Sequence, residues 1–123
     1  MSEAKPFVVL CVDDDPAGLT ARRNLLSFAG YDVLAADTGD TALRVFRRRD
    51  VDLVITDHFL PGLTGVELAV SLKKLKPAIL VVLMIGTVEP PAGAEHADLV
   101  LAKGLSPAEF LKAIARIVKR SAR

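Results

Sequence analysis

The stretch VLCVDDDP, residues 9–16, carries a continuous apolar run directly into three adjacent carboxylates. A short run of Val and Leu unbroken by polar residues suits a strand covered on both faces, as in a parallel sheet. Three acids side by side at its end repel one another and raise each other's proton affinity unless a cation or a set of hydrogen bonds compensates. Something positive is therefore expected at that strand end.

Working outward, apolar segments of strand length recur at FVVLCV (7–12), YDVLAA (31–36), DLVIT (52–56), ILVVLMI (79–85) and DLVLA (98–102). Amphipathic patterns separate them. From Pro16 to Ala29 the residues Leu19, Leu26 and Ala29 share one stripe, Asp15-Pro16 forms a helix start and Gly30 a stop. Thr38 to about Arg48 sets Ala42, Leu43 and Phe46 against Arg44, Arg47 and Arg48. Thr64-Gly65-Val66-Glu67 and Ser106-Pro107-Ala108-Glu109 both match a capping box, in which side chain and backbone satisfy each other's orphan groups. In the last helix Phe110, Ile114, Ile117 and Val118 form the inward stripe. The segment VEPPAGAEHA (88–97) holds two prolines and a glycine, which predicts a short or irregular element there. The whole pattern predicts an α/β fold: a doubly wound, five-stranded parallel sheet with helices on both faces and a fourth helix short or irregular.

With 123 residues and 51% apolar content, the chain suits a single domain over 1–123. Sixteen basic side chains against fifteen acidic ones leave a formal charge of +1, so no global field favours nucleic acid or an anionic membrane. Arg44, Arg47, Arg48 and Arg49, and the C-terminal Lys119, Arg120 and Arg123, lack interleaved aromatics and read as solvated faces, so no direct nucleic-acid contact is expected. Cys11, the lone cysteine, sits within the first apolar run and reads as a buried, inert thiol. No apolar run approaches the ~20 residues of a membrane span, and the start MSEAKPF has no long apolar leader, so a soluble, cytoplasmic chain is expected.

In doubly wound sheets ligands bind outside the carboxyl ends of the strands, where the strand order reverses. Those ends carry Asp13-Asp14-Asp15, Asp57, Gly86-Thr87 and Lys103. Acids from two strand ends beside a lysine from a third suit a hard divalent cation and an anion together, and oxygen-only ligands suit Mg2+ held by one or two carboxylates plus phosphate oxygens. A carboxylate beside such a metal can act as a nucleophile toward phosphorus, giving an aspartyl phosphate.

VVLCVDDDP, DLVITDHFLPGLTG and LVLAKG, at their mutual spacing, resemble the receiver (CheY-like) domain of two-component response regulators, and the similarity covers nearly all of the chain. The resemblance implies a flavodoxin-like fold of the receiver type, with Asp57 as phosphoacceptor. Asp13 and Asp14 match the metal-binding acids, Asp14 more directly. The backbone carbonyl of Phe59 completes the protein's metal ligands, and Lys103 contacts the incoming phosphoryl group. Asp15 is read mainly as a helix cap. His58 and His96 are expected to be exposed. The resemblance further implies Mg2+ as cofactor, a histidine kinase or phosphotransfer protein as donor, an unknown output protein as partner, and a phosphorelay switch rather than a turnover enzyme, with at most slow autodephosphorylation.

Three positions depart from the family pattern. A Ser or Thr normally ends the fourth strand and contacts the phosphoryl group. Gly86 aligns there and Thr87 falls one residue late, although one extra strand residue would bring Thr87 into register. The usual aromatic three residues before the lysine is Val100, and Gly104 follows the lysine in place of proline. The switch pair is thus degenerate while the phosphorylation set is complete. A phosphorylation-independent pseudo-receiver acting as a docking module is the alternative. A metal-dependent phosphohydrolase is disfavoured because Phe59 stands where a second acid would follow Asp57, and dinucleotide binding because no G-x-G-x-x-G follows the first strand.

Overall fold

The Val/Leu/Ile-rich segments form strands β1 (Val8–Val12), β2 (Asp32–Ala36), β3 (Leu53–Asp57), β4 (Leu80–Ile85) and β5 (Leu99–Ala102) in a computed structural model that describes residues 5–121. Helices α1 (Pro16–Phe28), α2 (Gly39–Arg48), α3 (Gly65–Leu75) and α4 (Pro107–Ser121) connect or follow them, and a single 3-10 turn, Ala94–His96, stands between β4 and β5. All strand pairs are parallel, in the order β2-β1-β3-β4-β5. The order reverses between β1 and β3, which places the crevice of a doubly wound sheet at the ends of those two strands.

Alternation along each strand divides the core into two layers. Leu10, Val12, Val54 and Val81 pack with Ala42 and Phe46 of α2 and Leu68, Ala69 and Leu72 of α3. Val9, Cys11, Leu53, Ile55, Val82 and Met84 face the other way, onto Leu26 of α1 and Phe110, Ile114 and Ile117 of α4. Each of the Val, Leu, Ile, Phe and Met side chains among these, fully buried, contributes about 1.5–3 kcal/mol relative to exposure, so the near-continuous apolar strands follow from cover on both faces.

Local details correct the expected boundaries. β3 runs through Asp57, which pairs with Met84, so the acid is the last residue of the strand rather than the first of the loop. Helix α1 ends at Phe28, and Ala29, expected on the buried stripe, is its exposed C-cap. The capping box closes fully at Thr64–Glu67. At Ser106 the hydroxyl accepts the Glu109 N–H while donating to the Glu109 carboxylate, so Glu109 takes the side chain rather than the Ser106 backbone. The short element expected in 88–97 is the 3-10 turn, entered through Gly93 at φ 87°. A Cβ at Gly93 would lie 2.6 Å from Val66 Cγ1, so glycine also lets the turn approach α3.

Acids at the amino ends of the strands serve the fold: Asp52 accepts the Val8 N–H at 2.8 Å, and Asp98 accepts the Val81 N–H at 2.8 Å together with Lys73 Nζ at 2.7 Å. Arg44, Arg47, Arg48 and Arg49, like Lys119 and Arg120, are exposed, and Arg123 lies outside the described residues. Among the described residues no helix is long and apolar enough to cross a membrane. Cys11 is buried, and desolvation pushes its thiol up to about 12. Its thiolate is therefore suppressed at neutral pH. We expect no labelling of the folded protein by a thiol reagent over hours at pH 8 and one equivalent after denaturation. Rapid native-state labelling would mean that the α1–α4 layer opens.

Candidate functional site

Asp13 leaves the end of β1 with its backbone N–H still bonded to Ala36 O at 3.1 Å, which holds it in line with the strand. Its carboxylate is buried, with Oδ1 accepting the Asp15 N–H at 2.9 Å. Asp14 is exposed beside it. Asp15 turns away to cap α1, accepting the Gly18 N–H at 3.3 Å ahead of Pro16, as expected of the third acid. Asp57, buried at the end of β3, accepts the Phe59 N–H on Oδ1 at 3.4 Å and Lys103 Nζ on Oδ2 at 3.0 Å. Lys103 is aimed by its own N–H, bonded to Ile85 O at 2.8 Å just past β5. Sheet geometry thus brings together Asp13, Asp14, Asp57 and Lys103, residues far apart in sequence.

Asp13, Asp14 and Asp57 each present a carboxylate oxygen within 4.8 Å of the others. Three clustered carboxylate oxygens, with no nitrogen or sulfur donor among them, suit a hard, oxygen-loving divalent cation. The charge balance agrees, since the three carboxylates outnumber the cationic side chains that meet them and leave the cluster negative.

The loop after Asp57 is tied at both ends. The His58 N–H continues the sheet to Met84 O at 3.1 Å, and the Gly65 N–H returns to His58 O at 2.8 Å. Between them the Thr64–Glu67 box begins α3, and the hydrogen bond from the Thr64 N–H holds the Glu67 carboxyl below its ordinary pKa. His58 corrects the expectation of an exposed side chain. It is half-buried, with Nδ1 sealed from solvent and without a hydrogen-bond partner and its ring 5.0 Å from that of Phe59. The Phe59 side chain, by contrast, is exposed. His96 is exposed, as expected.

Beyond β4, the point where a Gly86 Cβ would stand is 3.8 Å from Lys103 Cδ, so position 86 adjoins the lysine. Thr87, expected as a phosphate contact, donates its hydroxyl to Glu89 O at 2.9 Å within its own exposed loop. β4 ends at Ile85 without the extra residue that would have brought Thr87 into register. Gly86, the small Val100 and Pro90 border an open groove of about 490 Å³, walled on one side by Lys103.

One residue of the site escaped the sequence reading. Arg22, in the second turn of α1, forms an ion pair through a guanidinium nitrogen with Asp13 Oδ2. Its signal lay in the helical period: Arg22 follows Leu19 by three and precedes Leu26 by four, so it interrupts the inward stripe just beyond an acidic strand end.

Residues 9–115 match the model of the response regulator receiver domain. The alkaline phosphatase synthesis transcriptional regulatory protein PhoP of Bacillus subtilis is 31% identical over 117 residues, which cover 92% of this chain and 49% of that protein. The transcriptional regulatory protein GlrR of Escherichia coli is 38% identical over 80 residues, covering 65% of this chain and 18% of that one. The chain thus spans between under a fifth and about half of the length of these curated relatives. Among solved structures, a CheY-like receiver domain protein from Methanospirillum hungatei superposes with a TM-score of 0.89 at 26% identity, over 96% of this chain and 98% of that one. The response regulator TrrA of Thermotoga maritima, in complex with Mg2+ and BeF, gives 0.84 at 27% identity, over 89% and 97%. With the acids at the topological switch, the lysine opposite them and the sheet order all accounted for, the chain belongs to the response regulator receiver domain family.

Proposed function

We propose that this domain is a phosphoacceptor switch in two-component signalling, taking a phosphoryl group from the phosphohistidine of a histidine kinase or phosphotransfer protein onto Asp57. The observation that carries the reading is the Asp57 carboxylate itself: buried, held on one oxygen by the Phe59 amide and on the other by Lys103. One carboxylate oxygen attacks phosphorus, a P–O bond forms as the P–N bond to the donor imidazole breaks, and the electron pair leaves with that nitrogen. Lys103, already on Asp57, is placed to neutralise the phosphoryl oxygens as they arrive. Asp13, Asp14, Asp57 and the Phe59 carbonyl are the groups that would hold Mg2+. When bound, the metal supplies positive charge to the transferring phosphoryl group.

Phosphorylation adds about −1.5 to −2 charge at the rim of the sheet and biases the adjoining loops toward a second arrangement, which an output protein reads. With no hydroxyl from Thr87 and no aromatic at Val100, the groove beside Gly86 is where that change is felt. The domain is a switch rather than a turnover enzyme, because Phe59 occupies the place of the second acid that would assist repeated hydrolysis. The complete acid and lysine set favours this reading over a docking module that works without phosphate.

Incubation with Mg2+ and acetyl phosphate, followed by intact mass, tests the proposal. One phosphoryl adduct is expected, and none when the metal is chelated before the phosphodonor is added. A folded protein that acquires no adduct would overturn it.

A further inference from the structure

Arg22 stands out because it pairs with Asp13, one of the carboxylates that would hold the metal. The Asp13 side chain is 1% exposed and that of Arg22 13%, so the pair is shielded from the screening that weakens surface ion pairs. Both oxygens of Asp13 are engaged by protein donors, Oδ1 by the Asp15 N–H and Oδ2 by Arg22. Both oxygens of Asp57 are likewise engaged. Arg22 and Lys103 thus set two positive charges against the three clustered carboxylates. Position 18 lies close to the pair: a Cβ there would stand 3.1 Å from Asp15 Oδ2 and 3.2 Å from Asp13 Oδ2, both tight, and 3.4 Å from the Arg22 guanidinium, an ordinary contact. Gly18, one helical turn before Arg22, leaves the room in which the two meet.

We propose that Arg22 is a built-in counter-ion of this site, holding Asp13 in the metal-free domain and competing with Mg2+ for it. The inference rests on the proposed Mg2+-dependent function and adds to it a residue that sets the threshold of metal entry. Three carboxylates in so small a volume destabilise the empty site unless a cation is present. Arg22 supplies one from within the fold. The same charge opposes an incoming cation and must release Asp13 Oδ2, so the stability of the empty site and the affinity for Mg2+ are set against each other. A cavity of about 190 Å³ between α1 and α4 is lined by Arg22 together with Ala21, Leu25, Lys103 and Phe110.

Mg2+ titration followed by two-dimensional amide NMR, with ionic strength held constant by NaCl, tests this on wild type, Arg22→Met and Arg22→Lys. Arg22→Met keeps the apolar stem and removes the charge. It is expected to bind Mg2+ roughly tenfold more tightly, a difference of about 1.4 kcal/mol. Arg22→Lys keeps the charge and should stay within about threefold of wild type. Thermal unfolding provides a second readout: Arg22→Met should melt lower than wild type without metal and gain more from Mg2+, as mass action requires. Equal affinities in wild type and Arg22→Met would overturn the inference alone, and so would a gain in Arg22→Lys as large as that in Arg22→Met, which would trace the effect to packing. Absence of Mg2+ binding in all three proteins would overturn the inference together with the proposed function.

Discussion

Asp57→Asn is expected to carry no phosphoryl group after incubation with Mg2+ and acetyl phosphate, under conditions that load wild type with one. The substitution removes a nucleophile and little else. The asparagine side chain would keep an oxygen for Lys103 Nζ, now 3.0 Å from Asp57 Oδ2, and the position at the end of β3, opposite Met84, is set by backbone pairing. Loss of the attacking group from a site whose other parts act only in concert with it lowers the rate by roughly 10³-fold or more. Stability should change by no more than about 1 kcal/mol, because the ion pair with the part-exposed Lys103 is screened and its loss is offset by the removal of one of three mutually repelling carboxylates. Intact mass and thermal unfolding measured on the same sample separate the two effects. An adduct persisting on Asp57→Asn would transfer the acceptor role to Asp13 or Asp14.

Much of this site was legible because its positions obey rules that act along the chain. Apolar runs followed by acids locate strand ends, a doubly wound sheet gathers its carboxyl ends at one rim, and Asp13, Asp57 and Lys103 follow. Asp15 could be separated from its neighbours because Pro16 demands a cap before it. Other features depend on distances that period and spacing do not encode. Arg22 reads on a helical wheel as an imperfection in a stripe, and only the approach of α1 to β1 turns it into a partner of Asp13. His58 reads as an exposed loop residue, yet its N–H is tied to Met84 and its carbonyl to Gly65, and its side chain is half-buried. Thr87 shows the limit of register: a single residue at the end of β4 decides whether a hydroxyl meets the site or its own loop, and strand ends are the least determined points of a sequence reading.

Gly65→Ala is expected to lower the stability of the domain by about 3 kcal/mol, through overpacking that the surroundings cannot relax. Gly65 begins α3 without a positive φ, so its requirement is for space rather than for backbone freedom. A Cβ there would lie 2.5 Å from Asp57 O, 2.7 Å from Leu83 Cδ1 and 2.8 Å from His58 Cα. Leu83 is fully buried and has little room to turn aside, and the other two obstacles are backbone. The Gly65 N–H, bonded to His58 O at 2.8 Å, pins the first turn of α3 to the strand that ends in Asp57. Relief therefore requires either that the helix lift from the sheet or that the Asp57 carbonyl shift. Alanine's better helix propensity returns at most about 1 kcal/mol. Urea unfolding should show a lower midpoint with an unchanged slope, and the fraction phosphorylated at a fixed time should fall as well. Gly104→Ala is the comparison: no atom lies within 4 Å of a Cβ at that position and its φ is not positive, so a change within about 0.5 kcal/mol is expected. A loss at Gly65→Ala no larger than that at Gly104→Ala would show that the close contact between α3 and the end of β3 does not constrain Asp57.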